Sequence, residues 1–276
     1  MSVNEIATAA GVAAMDAILR DPGGTLLALD FDGTLAPIVD DPERAAADPR
    51  AVRALARLGP EFRRIAIVTG RPAGVALRLG GFDGVAGLET LTILGQYGAE
   101  RWQAPDGSIV APPPPAAIGD VERALPALLT DLGLADLRVE HKSRAIVLHT
   151  RGRSDPEADL ETLDAPVRKL AMRHGLIVEP GKSVIEIRSS ETDKGRALLD
   201  LQRETGARQV VFAGDDLGDL PAYDAVDAMR ADGIPGLLVA SASHEQDVLV
   251  ARSDLVLPGP AAVAAWLGSL VDDLAG

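Results

Sequence analysis

The chain has 276 residues, of which 47% are apolar, and a formal net charge of −14. That length supports one large or two modest domains with a real core. The acidic balance argues against nucleic acid and anionic membranes as partners, since both demand Lys and Arg. With no cysteine in the sequence there is neither a disulfide framework nor a thiolate nucleophile, and a zinc site would have only His and carboxylates.

Met1 to Arg20 contains Glu5 and Asp16 and lacks a basic start, so it reads as a short amphipathic helix rather than a secretion signal. No apolar run approaches the ~18–20 residues that cross a bilayer. The expected location is the cytoplasm. From Thr25 onward, short apolar runs bounded by Gly, Asp or Pro alternate with helical stretches, which predicts a doubly wound (Rossmann-like) α/β core on a parallel sheet. Strands are expected at Thr25–Leu29, Ile65–Val68, Leu91–Leu94, Val210–Ala213, Leu237–Ala240 and Leu255–Leu257. Helices are expected near residues 48–58, 72–80, 194–205 and 219–228.

The pattern changes after Trp102. Pro112 to Pro115 form a stiff polyproline run. A helix (Ile118–Leu132), two strands (Leu137–Lys142, Ala145–Thr150), a helix (Asp155–His174) and a hairpin (Leu176–Arg188) follow. This predicts a core of residues 1–110 and 190–276 with an inserted α+β domain at 111–189, hinged near 104–115 and 189–193.

Four separated elements end a strand or open a helix with groups suited to phosphate. The run Leu26-Leu27-Ala28-Leu29-Asp30-Phe31-Asp32-Gly33-Thr34 projects two carboxylates together, because side chains two apart on extended backbone point the same way. One suits a nucleophile and metal ligand, the other a proton shuttle. Ile67-Val68-Thr69-Gly70-Arg71 ends a strand in a hydroxyl and a glycine amide able to hold a phosphoryl oxygen. In Asp193-Lys194-Gly195, Lys194 supplies a compact cation behind a helix cap, Thr192 or Asp193. Gly214-Asp215-Asp216-Leu217-Gly218-Asp219 delivers three carboxylates, enough to complete an oxygen site for magnesium. In a doubly wound sheet such ends converge on one crevice.

In this order the four elements resemble the signature of haloacid-dehalogenase-like phosphatases, and the inserted module resembles that superfamily's cap. Val139-Glu140-His141-Lys142, His149-Thr150-Arg151 and Gly181-Lys182-Ser183-Val184-Ile185-Glu186-Ile187-Arg188 are similar, in order, to cap motifs of the trehalose-6-phosphate phosphatase family. Gly214 to Tyr223 is similar to that family's fourth motif. The resemblance implies that Asp30 is the nucleophile, forming an aspartyl-phosphate, and Asp32 the acid/base. Mg2+ would be held by Asp30, the backbone carbonyl of Asp32 and Asp215, with Asp219 or Asp216 behind them. Thr69, Gly70 and Lys194 would grip the phosphoryl group. Glu140, Lys142, Arg151, Lys182 and Glu186 would bind sugar hydroxyls, with His141 and His149 as further candidates. The substrate would be a small sugar phosphate. Acting as an acid requires a protonated Asp32, so a neighbouring carboxylate or cap closure is expected to weaken its acidity.

Departures from the family pattern are Thr150 where an aromatic is common, Tyr97 where His is usual, and Ser189 in place of Pro. They bear on substrate preference rather than reaction type. The rival reading is a related capped phosphatase acting on sucrose 6-phosphate or a mannosyl-glycerate phosphate. A phospho-accepting receiver-like module would need neither Asp32 nor the insert. Oligomeric state is not readable from the sequence.

Overall fold

The computed structural model describes residues 6–142, 144–181, 183–189, 192–242 and 247–275. The chain divides into two compact units, Met1–Ala111 with Thr192–Gly276, and Pro112–Glu191. In chain order the strands are β1 (Thr25–Leu29), β2 (Arg64–Val68), β3 (Thr92–Gly95), β4 (Glu100–Gln103) and β5 (Ile109–Val110). The second unit contributes β6 (Arg138–Lys142), β7 (Ala145–His149), β8 (Leu176–Gly181) and β9 (Val184–Ser189). The first unit resumes with β10 (Gln209–Gly214), β11 (Gly236–Ser241) and β12 (Leu255–Leu257). Helices are α1 (Ala9–Arg20), α2 (Pro49–Leu58), α3 (Ala73–Gly80), α4 (Ala116–Asp131), α5 (Pro156–Arg173), α6 (Lys194–Thr205), α7 (Leu220–Ala231), α8 (Asp247–Arg252) and α9 (Pro260–Ala275).

The first unit's sheet runs β12-β11-β10-β1-β2-β3-β4-β5. Strands β12 through β3 pair in parallel. Its central strands are apolar on both faces because each alternates between two cores. Leu27 and Leu29 of β1 join a layer with Ile18 of α1, Leu55 of α2 and Leu267 of α9. Leu26 and Ala28 join the opposite layer, with Leu198 and Leu201 of α6 and Val226 of α7. Helices therefore cover both sides, as the doubly wound reading requires.

Two features depart from the sequence expectation. The far edge is not parallel throughout: β4 pairs antiparallel to β3, and β5 antiparallel to β4. Only Trp102 of β4 is buried and β5 is exposed, so neither segment carries an apolar run to announce it. The second feature is α9, unassigned from sequence, which buries Val263, Ala264, Trp266, Leu267, Leu270 and Val271.

The second unit is an antiparallel sheet ordered β6-β7-β9-β8 with α4 and α5 on one face. Ile146, Leu148, Ile185 and Ile187 pack there against Val121, Leu125, Leu163 and Val167. Alternation sends the intervening residues to the other face, where register aligns Glu140, Val147, Glu186 and Glu179 in one row across the four strands. Lys142, Ala145, Arg188 and Ile177 form the next row. No helix among the described residues is long and apolar enough to cross a membrane.

Candidate active site

Strands β10, β1 and β2 are neighbours, so their carboxyl ends bring three of the four predicted elements side by side. The Asp30 amide donates to the Ala213 carbonyl at 2.8 Å, extending the β1–β10 ladder by one residue before the chain turns away. Gly33 makes that turn at φ 72°, and a β-carbon there would lie 1.9 Å from Asp215 Oδ2. Only glycine lets the first motif approach the fourth so closely. The remaining element, with Lys194, opens α6 behind an Asp193 cap that accepts from the Arg196 amide at 2.8 Å. Asp193, rather than Thr192, is thus the cap.

Lys194 Nζ donates to Asp30 Oδ1 at 2.6 Å and to Asp219 Oδ1 at 2.7 Å, with all three side chains buried. The other Asp219 oxygen accepts from the amides of Asp215 (2.9 Å) and Asp216 (3.2 Å). Asp216 itself is exposed and caps the short helical turn that follows, accepting from the Gly218 amide at 2.9 Å. Of the two carboxylates left open by the sequence, Asp219 joins the buried cluster and Asp216 stays outside it.

Burial pushes the Asp30 carboxyl well above its ordinary range; Lys194 pulls it back, and Asp219, Asp216 and Asp32 push it further up. Burial, then Asp30, Asp219 and Asp216, push Asp215 up to about 10. Burial works to lower Lys194, but Asp219 and Asp30 outweigh it and hold the ammonium well above its usual value. One ligand oxygen from each of Asp30, Asp215 and Asp219 lies within 4.8 Å of the others. Three buried carboxyls face a single buried ammonium, so full ionisation would leave excess negative charge, and an all-oxygen donor set of this kind suits a hard divalent cation.

Asp32 stands apart from this cluster. Its two oxygens accept from a single guanidinium: Arg71 Nε to Oδ2 and Arg71 Nη2 to Oδ1, both at 2.6 Å. The direct hydrogen-bond partner of Asp32 is therefore a cation and not a neighbouring carboxylate.

Thr69 is buried at the end of β2, its hydroxyl accepting from the Arg71 amide at 3.1 Å. Gly70 is packed under Tyr97, whose ring and hydroxyl would lie 2.9 Å from an added β-carbon. Tyr97 and Gln96 sit at φ 59° and 47°, a left-handed turn that costs a non-glycine pair about 1–3 kcal/mol per residue. Their amides donate to the carbonyls of Thr69 (2.9 Å) and Arg71 (2.8 Å), so the strained turn clamps the Thr69-Gly70-Arg71 loop.

On the open sheet face of the second unit, Glu140, Lys142 and Glu186 lie together. Lys142 Nζ donates to Glu186 Oε1 at 3.0 Å, and Glu140 Oε2 meets His149 Nε2 at 2.8 Å. His149 is thus on this face, whereas His141 points the other way and meets Glu122 of α4 at 2.9 Å. Arg151 lies past the end of β7 in an exposed turn, not on the sheet. Lys182, with residues 190 and 191 of the second expected hinge, lies outside the described residues. Thr150 is buried, and its hydroxyl donates to the Ser183 carbonyl at 3.2 Å, tying down the hairpin tip. Sequence reasoning missed Arg188 and Glu179, which pair with each other on the same face. The signal was present, since Arg188 is two residues from Glu186 and shares its side of the strand.

Fold and site together define the class: a doubly wound α/β core with a buried carboxylate–lysine cluster at its strand ends and a second unit inserted in its chain. In fold it is similar to a haloacid dehalogenase-like hydrolase from Bacteroides thetaiotaomicron (TM-score 0.58, 15% identity, 89% of this chain and 98% of that one). The family described as trehalose-phosphatase matches residues 28–253, and the chain belongs to that family. A trehalose-phosphate phosphatase of Mycobacterium marinum is 33% identical over 274 residues, 95% of this chain. The chain spans 66% of that relative's length, just under two thirds. The C-terminal domain of Candida albicans trehalose-6-phosphate phosphatase shares the fold over 99% of both chains, with TM-score 0.73 and 20% identity.

Proposed function

We propose that this chain hydrolyses trehalose 6-phosphate to trehalose and inorganic phosphate, with Mg2+ and through an aspartyl-phosphate on Asp30. One observation carries the reading: Asp30, buried and hydrogen-bonded to Lys194, stands in a carboxylate cluster with Asp215 and Asp219, in a chain of the trehalose-phosphatase family. Asp30, Asp215 and the main-chain oxygen of Asp32 would hold the cation, with Asp219 behind them. When bound, the ion supplies charge neutralisation at the phosphoryl oxygens and to the carboxylates themselves.

The chain's own residues do the rest. Lys194 keeps Asp30 aimed and offsets the charge of the phosphoryl group. Thr69 and the Gly70 amide sit on a clamped loop, which suits phosphoryl transfer because it demands positioning and charge stabilisation above all. Asp32 gives a proton to the departing sugar oxygen, then takes one from the hydrolytic water. We assign sugar recognition to the second unit's open face, with Glu140, Lys142 and Glu186 as its central groups and Arg151 and Lys182 as flanking ones. Charge-assisted bonds to hydroxyls give such a face its selectivity. A cytoplasmic location belongs to the same proposal.

Phosphate release from a panel of trehalose 6-phosphate, sucrose 6-phosphate, mannosyl-glycerate phosphate and glucose 6-phosphate, with Mg2+ or with chelator, tests this. Trehalose 6-phosphate should be preferred by at least about tenfold in kcat/KM, and chelation should abolish turnover. Equal rates on glucose 6-phosphate would remove the disaccharide claim. A preference for either other ester would reassign the substrate and leave the core chemistry standing.

A further inference from the structure

Arg71 carries no role in the chemistry set out above, yet it takes both oxygens of Asp32 in one forked grip, at 2.6 Å each. The guanidinium is anchored from two other directions. Its Nη1 donates to the Pro42 carbonyl at 3.0 Å, and its carbon lies 5.7 Å from the centre of the Phe31 ring. The backbone beneath it is equally fixed. The Arg71 amide donates to Thr69 Oγ1 at 3.1 Å, and its carbonyl accepts from the strained Gln96 amide at 2.8 Å. A left-handed turn therefore holds a loop, the loop holds an arginine, and the arginine holds the second carboxylate of the first motif.

We propose that Arg71 is the positioning residue for Asp32, a role that rests on reading Asp32 as the acid/base group. In the first half-reaction an Asp30 oxygen bonds to phosphorus and the bond from phosphorus to the sugar oxygen breaks. The proton for that sugar oxygen comes from Asp32, which is left as a carboxylate. In the second, water attacks phosphorus, its proton goes to Asp32, and the bond from Asp30 to phosphorus breaks. Between the two steps Asp32 is an anion that must keep its direction, and a planar two-donor cation fixes direction where a point charge does not. A direct phosphate-gripping role for Arg71 fits less well: the edge that could meet a phosphate is committed to Asp32, and Lys194 already supplies the cluster's cation.

The test compares leaving groups. A sugar alkoxide needs a proton as it departs, whereas p-nitrophenolate does not, and kcat/KM reports events up to that departure. The Arg71→Gln, Arg71→Lys and Asp32→Asn variants are assayed on trehalose 6-phosphate and on p-nitrophenyl phosphate, with folding checked by circular dichroism and melting temperature. Arg71→Gln should lose about 100-fold on the sugar ester and less than about fivefold on the aryl ester, in parallel with Asp32→Asn. Arg71→Lys should recover only part of the loss, since it restores charge without the fork. Equal losses on both esters, or full activity on both, would overturn the positioning role, and Arg71→Lys decides the matter if Arg71→Gln does not fold. If Asp32→Asn itself showed no leaving-group dependence, the acid/base reading of Asp32 would fail, and this inference with it.

Discussion

The two units handle charge in opposite ways. In the first, Asp30, Asp215, Asp219 and Lys194 are all buried, and each is held by backbone geometry or by another member of the cluster. In the second, the charged pairs Lys142–Glu186 and His149–Glu140 lie on an open sheet face and remain partly hydrated. Buried charges are costly to assemble, yet once fixed they stabilise a developing charge without reorganising. Partly hydrated pairs are cheap to open, so a ligand hydroxyl can replace one partner at small cost. The contrast suits a division between fixed phosphate chemistry and exchangeable sugar recognition.

The strongest way to break that contrast is Asp30→Asn. It should lower phosphate release by at least about 10⁴-fold on every ester, while the fold survives with a cation-free melting temperature at or above the parent's, because one buried like charge is gone. Residual turnover near the parent's rate would end the nucleophile assignment. Next in size is Lys194→Met, which strands Asp30 and Asp219 without their counter-ion. Breaking a buried pair from one side costs about 3–5 kcal/mol, measurable by urea unfolding in chelator, and activity should vanish as well.

Proton and cation linkage comes third. Asp215, pushed up to about 10, keeps its proton in the folded chain far above the point at which the unfolded carboxyl, near ~3.9, releases it. Its stabilising contribution is therefore fully present below about pH 4 and is lost as pH rises toward 10. In chelator the melting temperature should fall between pH 5 and pH 9. Mg2+ at about 100 times its Kd should raise it by about 5–10 °C, most at high pH, where protons compete least. A chelator profile that is flat with pH would contradict the charged picture of the cluster. The smallest expected effect is Glu186→Gln: about tenfold to 100-fold in kcat/KM on trehalose 6-phosphate and almost nothing on p-nitrophenyl phosphate. A matching loss on both would show that the open face is not a sugar-reading surface.

Legibility followed the strength of the local pattern. The strands nearest the chemistry, such as Thr25–Leu29, were readable because an apolar run that meets Asp and Gly can hardly be anything else. Strand β4 was not, since Glu100-Arg101-Trp102-Gln103 buries a single side chain and gains its order from pairing with β3. Helix α9 was readable and missed: Val263, Ala264, Leu267, Leu270 and Val271 keep the helical spacing throughout. At the site, the partition between Asp216 and Asp219 was undecidable from spacing alone. It turns on which carboxylate caps a short helical turn and which reaches Lys194. The partner of Asp32 was likewise invisible, since Arg71 is 39 positions away.

By itself the sequence determined the element order, the alternation that buries the central strands on both faces, and the kinds of group delivered at each strand end. Those follow from periodicity and from the chemistry of Asp, Thr, Gly and Lys next to turns. Only the tertiary structure decided who meets whom. It set Lys194 between Asp30 and Asp219, gave Asp32 to Arg71, and turned His149 to the open face and His141 to the helix side. Such pairings depend on strand order, register and the direction of single side chains, which are fixed by packing across many residues and leave no mark in any short stretch of the chain.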